Sequence, residues 1–214
     1  MTRGSLPDAV PIFPLAGALL LPFGQLPLNI FEPRYVALIE DVLGQDRLMG
    51  MVQPKQADSE TVADDGAIFS TGCLGRITEF TDPGDGRYEI VLTGICRFAV
   101  THELPMSRGY RRVAADFDSF VDDLDPEQVE IANRPGLLAA LRVFFDHHEL
   151  EADWQALGEV SDLVLVTTVA MGCPLKAPEK QMLLEAETLP ERAERLQAIL
   201  EMGLHAGDGS TARH

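Results

Sequence analysis

Prolines and glycines within residues 10–43, VPIFPLAGALLLPFGQLPLNIFEPRYVALIEDVL, restrict what this chain can fold into more than any other feature. Proline fixes φ and has no N–H to donate, so a central strand cannot run through it and a helix cannot continue past it. The apolar runs 10–13, 16–21 and 26–30 are too short for helices, and each is bounded by Pro or Gly. They predict three short strands separated by forced turns. After Phe31 the period changes: Pro33 suits a first helical position, and Tyr35, Leu38, Ile39, Val42 and Leu43 recur at helical spacing until Gly44. A helix packed on a sheet is the expectation.

The strand pattern continues beyond that helix. Residues 48–52 form another short apolar run closed by Pro54, and residues 55–66 are polar, acidic and aperiodic, as an exposed loop would be. Runs 72–80 and 88–96 flank the turn residues Pro83, Gly84 and Gly86 and predict a hairpin. A register centred between Gly84 and Asp85 sets Cys73 opposite Cys96 and Ile77 opposite Leu92, and a single bulge would change it. With 98–104 and 110–117 the total is seven or eight strands before residue 120. So many short strands point to a barrel or sandwich.

Residues 116–130 hold seven acids and no base, which places a domain boundary near Asp122. Beyond it the spacing is helical. Leu137, Leu138, Leu141, Phe144 and Phe145 share a face, and residues 178–186 read as a short helix. Thr188 and Glu191 form a capping box before a last helix, with Glu191 and Arg195 paired one turn apart. Residues 163–171 are apolar nearly all round, so their pattern alone also allows a buried strand. Residues 207–214 read as a disordered tail.

The motifs I-F-P-L, L-L-P-F-G and L-P-L-N-I-F-E-P-R-Y, followed by a helix, resemble the amino-terminal domain of Lon proteases, which is also found free-standing and in cereblon. A second match lies in residues 178–195, and the resemblance covers about residues 11–200. It implies an α+β fold, a PUA-like β-barrel or sandwich domain (1–120) followed by an α-helical bundle domain (121–206), and makes 163–171 the central helix. It also implies a module that recognises proteins without transforming them. The family places Ser or Asp before its short helix where this chain has Ala177, a weaker cap.

No catalytic chemistry is legible in the 214 residues. The lysines Lys55, Lys176 and Lys180 never follow Gly, so no phosphate-binding loop exists, and no serine-lysine protease domain is present. Neither a G-x-S-x-G elbow nor an H-E-x-x-H helix occurs. The residues therefore predict no enzyme and no cofactor. Cys73, Cys96 and Cys173 lack metal-ligand or disulfide spacing and read as reduced cytoplasmic thiols. The prolines argue against a signal peptide, and no apolar run is long enough to span a membrane.

Four candidate sites follow. Asp146, His147, His148, Glu149, Glu151 and Asp153 cluster, with His147 and Glu151 one helical turn apart; a solvated helix end accounts for them and no metal is expected. The basic run Arg108, Arg111 and Arg112 beside Tyr110 is the alternative reading, an RNA-binding PUA-like module. A formal charge of −17 opposes it, and nucleic acid is not an expected partner. Glu32, Arg34 and Tyr35 are structural motif residues, Glu32 pairing with a strand arginine. Phe23 sits in a turn that is either a core plug, the preferred reading, or a peptide contact. If partners bind, an unfolded polypeptide or partner protein would add to a strand edge, with Phe23 and Leu26 as the contact residues.

Overall fold

In the computed structural model, which describes residues 5–55, 66–125 and 129–207, the first strand β1 (Ala9–Pro14) lies between two partners. It runs parallel to β3 (Leu48–Val52) and antiparallel to β6 (Tyr110–Asp116). The parallel pairing requires a crossover, and helix α1 (Pro33–Leu43) supplies it. β3 pairs with β4 (Thr71–Thr81), β4 with β5 (Tyr88–Ser107), and β5 with β6. That last pairing closes a five-strand ring. Strand β2 (Gln25–Ile30) attaches outside the ring to β5 alone.

Among the described residues six strands replace the expected seven or eight. Residues 88–96 and 98–104 belong to one continuous twenty-residue strand, β5, which serves β2, β4 and β6 along its length. Residues 16–21 are not a strand. Gly17, at φ 71, turns the chain, and Leu19, Leu20 and Leu21 fill the core without a ladder. Their continuous apolarity reflects burial on all sides.

The hairpin register holds at Ile77 and Leu92 but not at the cysteines. A bulge beside Leu74 and Gly75 places Cys96 opposite Leu74 and Cys73 opposite Arg97.

A 3-10 segment (Asp118–Leu124) leads from the barrel to the helices α2 (Arg134–His147), α3 (Trp154–Glu159), α4 (Asp162–Gly172), α5 (Ala177–Leu184) and α6 (Leu189–Gly207). The fold is thus α+β, strands first and a helical part after. α3 was not foreseen in the spacing. The cap of α5 is Lys176, one residue before Ala177, and its amide donates to Glu179 at 2.7 Å. Thr188 accepts from the Glu191 amide at 3.3 Å, while Glu191 reaches back to the amide of Glu187 at 2.7 Å. Residues 56–65, 126–128 and the tail from 208 lie outside the described residues, and so do the expectations of a loop and a disordered end made for them.

Two apolar clusters hold these layers together. One surrounds Phe98 with Val10, Ile12, Leu74 and Val113, and includes Phe117 from the exit of β6. The other runs from Phe13, Leu19, Leu21 and Leu38 directly into Leu141, Leu165, Val169, Leu183 and Leu196. The barrel and the helices therefore share a core.

Polar ties cross the same boundary. Arg97, 5% exposed, donates to both carboxylate oxygens of Asp123 at 2.9 Å and to the carbonyls of Leu184, Ala186 and Glu187. Gln181 donates to Thr71 O at 3.3 Å, and Lys180 Nζ donates to Gly17 O at 2.8 Å. Burial pulls the Lys180 ammonium below its ordinary range, and burial together with the nearby Arg97 lowers Arg192 to about 10.

Candidate functional site

The turn between Leu21 and Gln25 is moulded onto β5. Phe23 N donates to Gly94 O at 2.9 Å and Gly94 N to Gly24 O at 2.8 Å, while Gly24 N closes the turn on Leu21 O at 3.0 Å. Gly94 has to be glycine for this contact, because a Cβ there would stand 2.0 Å from Leu21 O. Phe23 pays no heed to the usual preference of large side chains: its φ is 66, in the left-handed region, and its ring is 48% exposed. The core-plug reading of Phe23 is therefore wrong. With the backbone in this conformation, the ring projects outward.

Helix α4 approaches the turn from the other side. A Cβ on Gly24 would lie 2.2 Å from Met171 Sδ, so the glycine leaves the room that the Met171 side chain fills. The far end of α4 is fixed by a cap and an anchor. Ser161 accepts from Val164 N at 3.4 Å, and Asp162 accepts from Ile131 N at 2.7 Å and from Arg134. Burial raises the Asp162 carboxyl, but the Ile131 amide and Arg134 outweigh it and hold the group below 3.8.

Between turn and helix lies a groove of about 510 Å³. Phe23, Leu26 and Pro27 form one wall and Leu163, Val164, Thr167 and Met171 the other. Val164 is 46% exposed, an apolar side chain standing in the groove. Thr167 is 5% exposed, and its hydroxyl finds no partner among the described residues. A buried hydroxyl without a partner costs free energy unless something in the groove takes its hydrogen bond. Leu26 is half-buried and also packs on the core. β2, which carries Leu26, is the terminal strand of the sheet, and Pro27 blunts its outer edge by withholding one N–H.

A second cavity of similar size opens beyond Phe23 and Leu163, which border both. Its lining includes Arg97, Arg192, Asp122, Asp123, Asp125 and Glu187.

The remaining candidates are accounted for elsewhere. Glu32 pairs with Arg34 at 2.9 Å, a neighbour in the same motif and not a strand arginine. The Arg34 guanidinium lies 4.7 Å from the Tyr35 ring centre, and Tyr35 packs on Phe13 at 4.1 Å. Tyr35 thus joins α1 to β1, and none of the three lines the groove. Arg108 is paired with Glu40 and Asp41 at 2.7 Å, and Arg111 is paired with Glu103. Tyr110 donates to Asp41 at 2.8 Å, which with Arg108 depresses the Asp41 carboxyl. α2 ends at His147 and Glu149 takes φ 54, so His147 and Glu151 do not share a helical turn. The His148 ring packs at a tilt against Phe144, with ring centres 4.2 Å apart. Among the described residues no helix is long and apolar enough to cross a membrane.

The α4 side of the groove was not legible as a site. The available signal was that residues 163–171 are apolar all round. On a helix with any open face, such a pattern must expose an apolar side chain, here Val164.

The architecture defines a class, α+β proteins in which a closed ring of strands and a following set of helices wall a groove between them. Within that class the chain belongs to the ATP-dependent protease La (LON) substrate-binding domain family, whose model matches residues 9–202. It is 27% identical over 94% of its length to Lon protease from Anaeromyxobacter dehalogenans, covering 24% of that protein. It is 31% identical over 61% of its length to Lon protease 2 from Myxococcus xanthus, covering 15% of that protein. The chain thus spans about a quarter or less of the curated relatives it matches. In structure it is similar to a Lon N-terminal domain protein from Xanthomonas campestris (TM-score 0.59, 23% identity, 89% of this chain and 97% of that one). The N-terminal domain of Mycobacterium avium complex Lon protease gives a TM-score of 0.60 at 16% identity, over 90% of this chain and 98% of that one.

Proposed function

We propose that this chain is a non-catalytic recognition domain working in the cytoplasm, and that it takes an extended, unfolded polypeptide into the groove between β2 and α4. The observation that carries the reading is Phe23. A large apolar side chain is held half exposed, at a backbone cost, at the mouth of an apolar cleft. The rest of the groove supports it. An extended segment entering beside β2 finds Leu26 and Val164 for its side chains. Recognition of this kind uses no reacting group, in keeping with a family named for substrate binding.

The test separates binding from folding. Phe23→Asn keeps a residue that tolerates the left-handed conformation while removing the ring, and Val164→Ser removes the exposed apolar contact from α4. Each variant should stay folded by circular dichroism. Binding of a labelled, permanently unfolded polypeptide, read by fluorescence anisotropy, should weaken by about fivefold to tenfold, the equivalent of roughly 1 kcal/mol of lost apolar burial. Undiminished binding in both folded variants refutes this site.

A further inference from the structure

Beyond the divider formed by Phe23 and Leu163, the second cavity has a different character. Four carboxylates line it, those of Asp122, Asp123, Asp125 and Glu187, against two guanidinium groups. Both guanidinium groups are engaged. Arg97 is fully bonded to Asp123 and to carbonyls, and buried Arg192 donates to Leu183 O at 2.9 Å and to Ala186 O at 3.3 Å. Asp123 is consumed by Arg97, but Asp122, Asp125 and Glu187 are exposed and have no cationic partner among the described residues.

The start of α6 also faces this cavity, and a helix N-terminus would ordinarily favour an anion. Here Thr188 takes the Glu191 amide, Pro190 has no N–H to offer, and the Glu191 carboxylate, bonded to the Glu187 amide, already brings a negative charge to the helix start. The balance in the cavity is therefore negative. The adjoining groove is apolar and contains the unpartnered, nine-tenths buried hydroxyl of Thr167, so the two cavities form one trough with an apolar end and an acidic end.

We propose that the trough selects extended polypeptide segments in which a bulky apolar residue is followed or preceded, within a few positions, by lysine or arginine. The apolar side chain enters beside Leu26 and Val164, the backbone crosses Phe23, and the cationic side chain reaches Asp122 and Glu187. The charge complementarity is local, built by three unpaired carboxylates at one end of the groove, and it adds to the overall acidity of the chain. This inference rests on the groove reading given above.

The experiment uses short unstructured peptides that share one leucine and carry lysine, norleucine or glutamate at the second position. At low salt the full chain should bind the lysine peptide about fivefold more tightly than the norleucine peptide, with the glutamate peptide weakest. The advantage should shrink at high salt. The double variant Asp122→Asn, Glu187→Gln should lose the lysine preference while keeping the affinity for the norleucine peptide, and Phe23→Asn should weaken both peptides. If the wild type does not distinguish lysine from norleucine, yet Phe23→Asn weakens both, the acidic selection is refuted and the groove stands. If Phe23→Asn changes neither affinity, or no peptide binds, the groove reading fails and this inference falls with it.

Discussion

Replacing Arg97 by Met tests how the two parts of the chain are held together. The guanidinium is the only described cation within salt-bridge reach of Asp123, whose side chain is 11% exposed, and it also holds three carbonyls from the end of α5 and the turn before α6. Met fills much the same volume, so packing survives while Asp123 keeps a charge in a site with little water. Removing one member of a buried pair costs about 3–5 kcal/mol, mostly through the stranded partner. For a chain of this size that corresponds to a fall in Tm of roughly 6–20 °C. Urea unfolding followed by far-ultraviolet circular dichroism and by the fluorescence of Trp154 measures it. The double variant Arg97→Met, Asp123→Leu should recover the part of the loss that comes from the stranded charge, while the carbonyls of Leu184, Ala186 and Glu187 and the amide of residue 97 stay without these partners. A single variant that loses less than about 1 kcal/mol, or a double variant no better than the single, would refute the reasoning.

Other outcomes follow from the same contacts. Gly94→Ala must push the Leu21 carbonyl aside, so it should lower stability by about 1–3 kcal/mol and weaken polypeptide binding together, as unfolding and anisotropy would show. Asp162 has a depressed carboxyl in the folded chain. Its contribution is therefore complete above its ordinary 3.8 and is lost as pH falls through the lower folded value, so Asp162→Asn should flatten the acid side of the stability profile recorded by thermal melts. We place a division of the chain near residue 122, and limited proteolysis should cut first in 55–66 or 116–130; early cuts within 135–171 would count against it. These 214 residues should hydrolyse neither ATP nor peptide bonds, which coupled phosphate release and a fluorogenic peptide assay would check.

The sequence carried the order of elements well and the site in part. Proline marked the end of β1 at Pro14 and the start of α1 at Pro33, but Pro11 lies inside β1, which is paired on both sides, and Pro27 inside β2, so the rule that bars proline from a strand held in neither. The trio Leu19 to Leu21 misled because an apolar run records burial and not hydrogen bonding; the segment is buried without a ladder. Cys73 and Cys96 were misaligned by one bulge, a choice made by packing around Leu74 and Gly75 that leaves no local signature. Phe23 and Leu26 could be named as residues beside an edge strand, but the conformation that turns Phe23 outward depends on Gly94, seventy-one residues away in the chain. The acidic cavity was harder still. Its members come from the 3-10 segment and the approach to α6, and only the folded bundle brings them together.

The ring of strands has a consequence for the chain as it is made. β6 completes the barrel at Asp116, but the helices that cover Leu19 to Leu21 and supply the far wall of the groove end about seventy residues later, at the close of α5 and beyond. At a synthesis rate of about 5–20 residues per second, a closed barrel would wait on the order of ten seconds with that apolar face open. During that interval the nascent chain is itself an exposed, unfolded, partly apolar polypeptide. If the domain captures such segments, as proposed above, it would meet its own carboxyl-terminal half before any other.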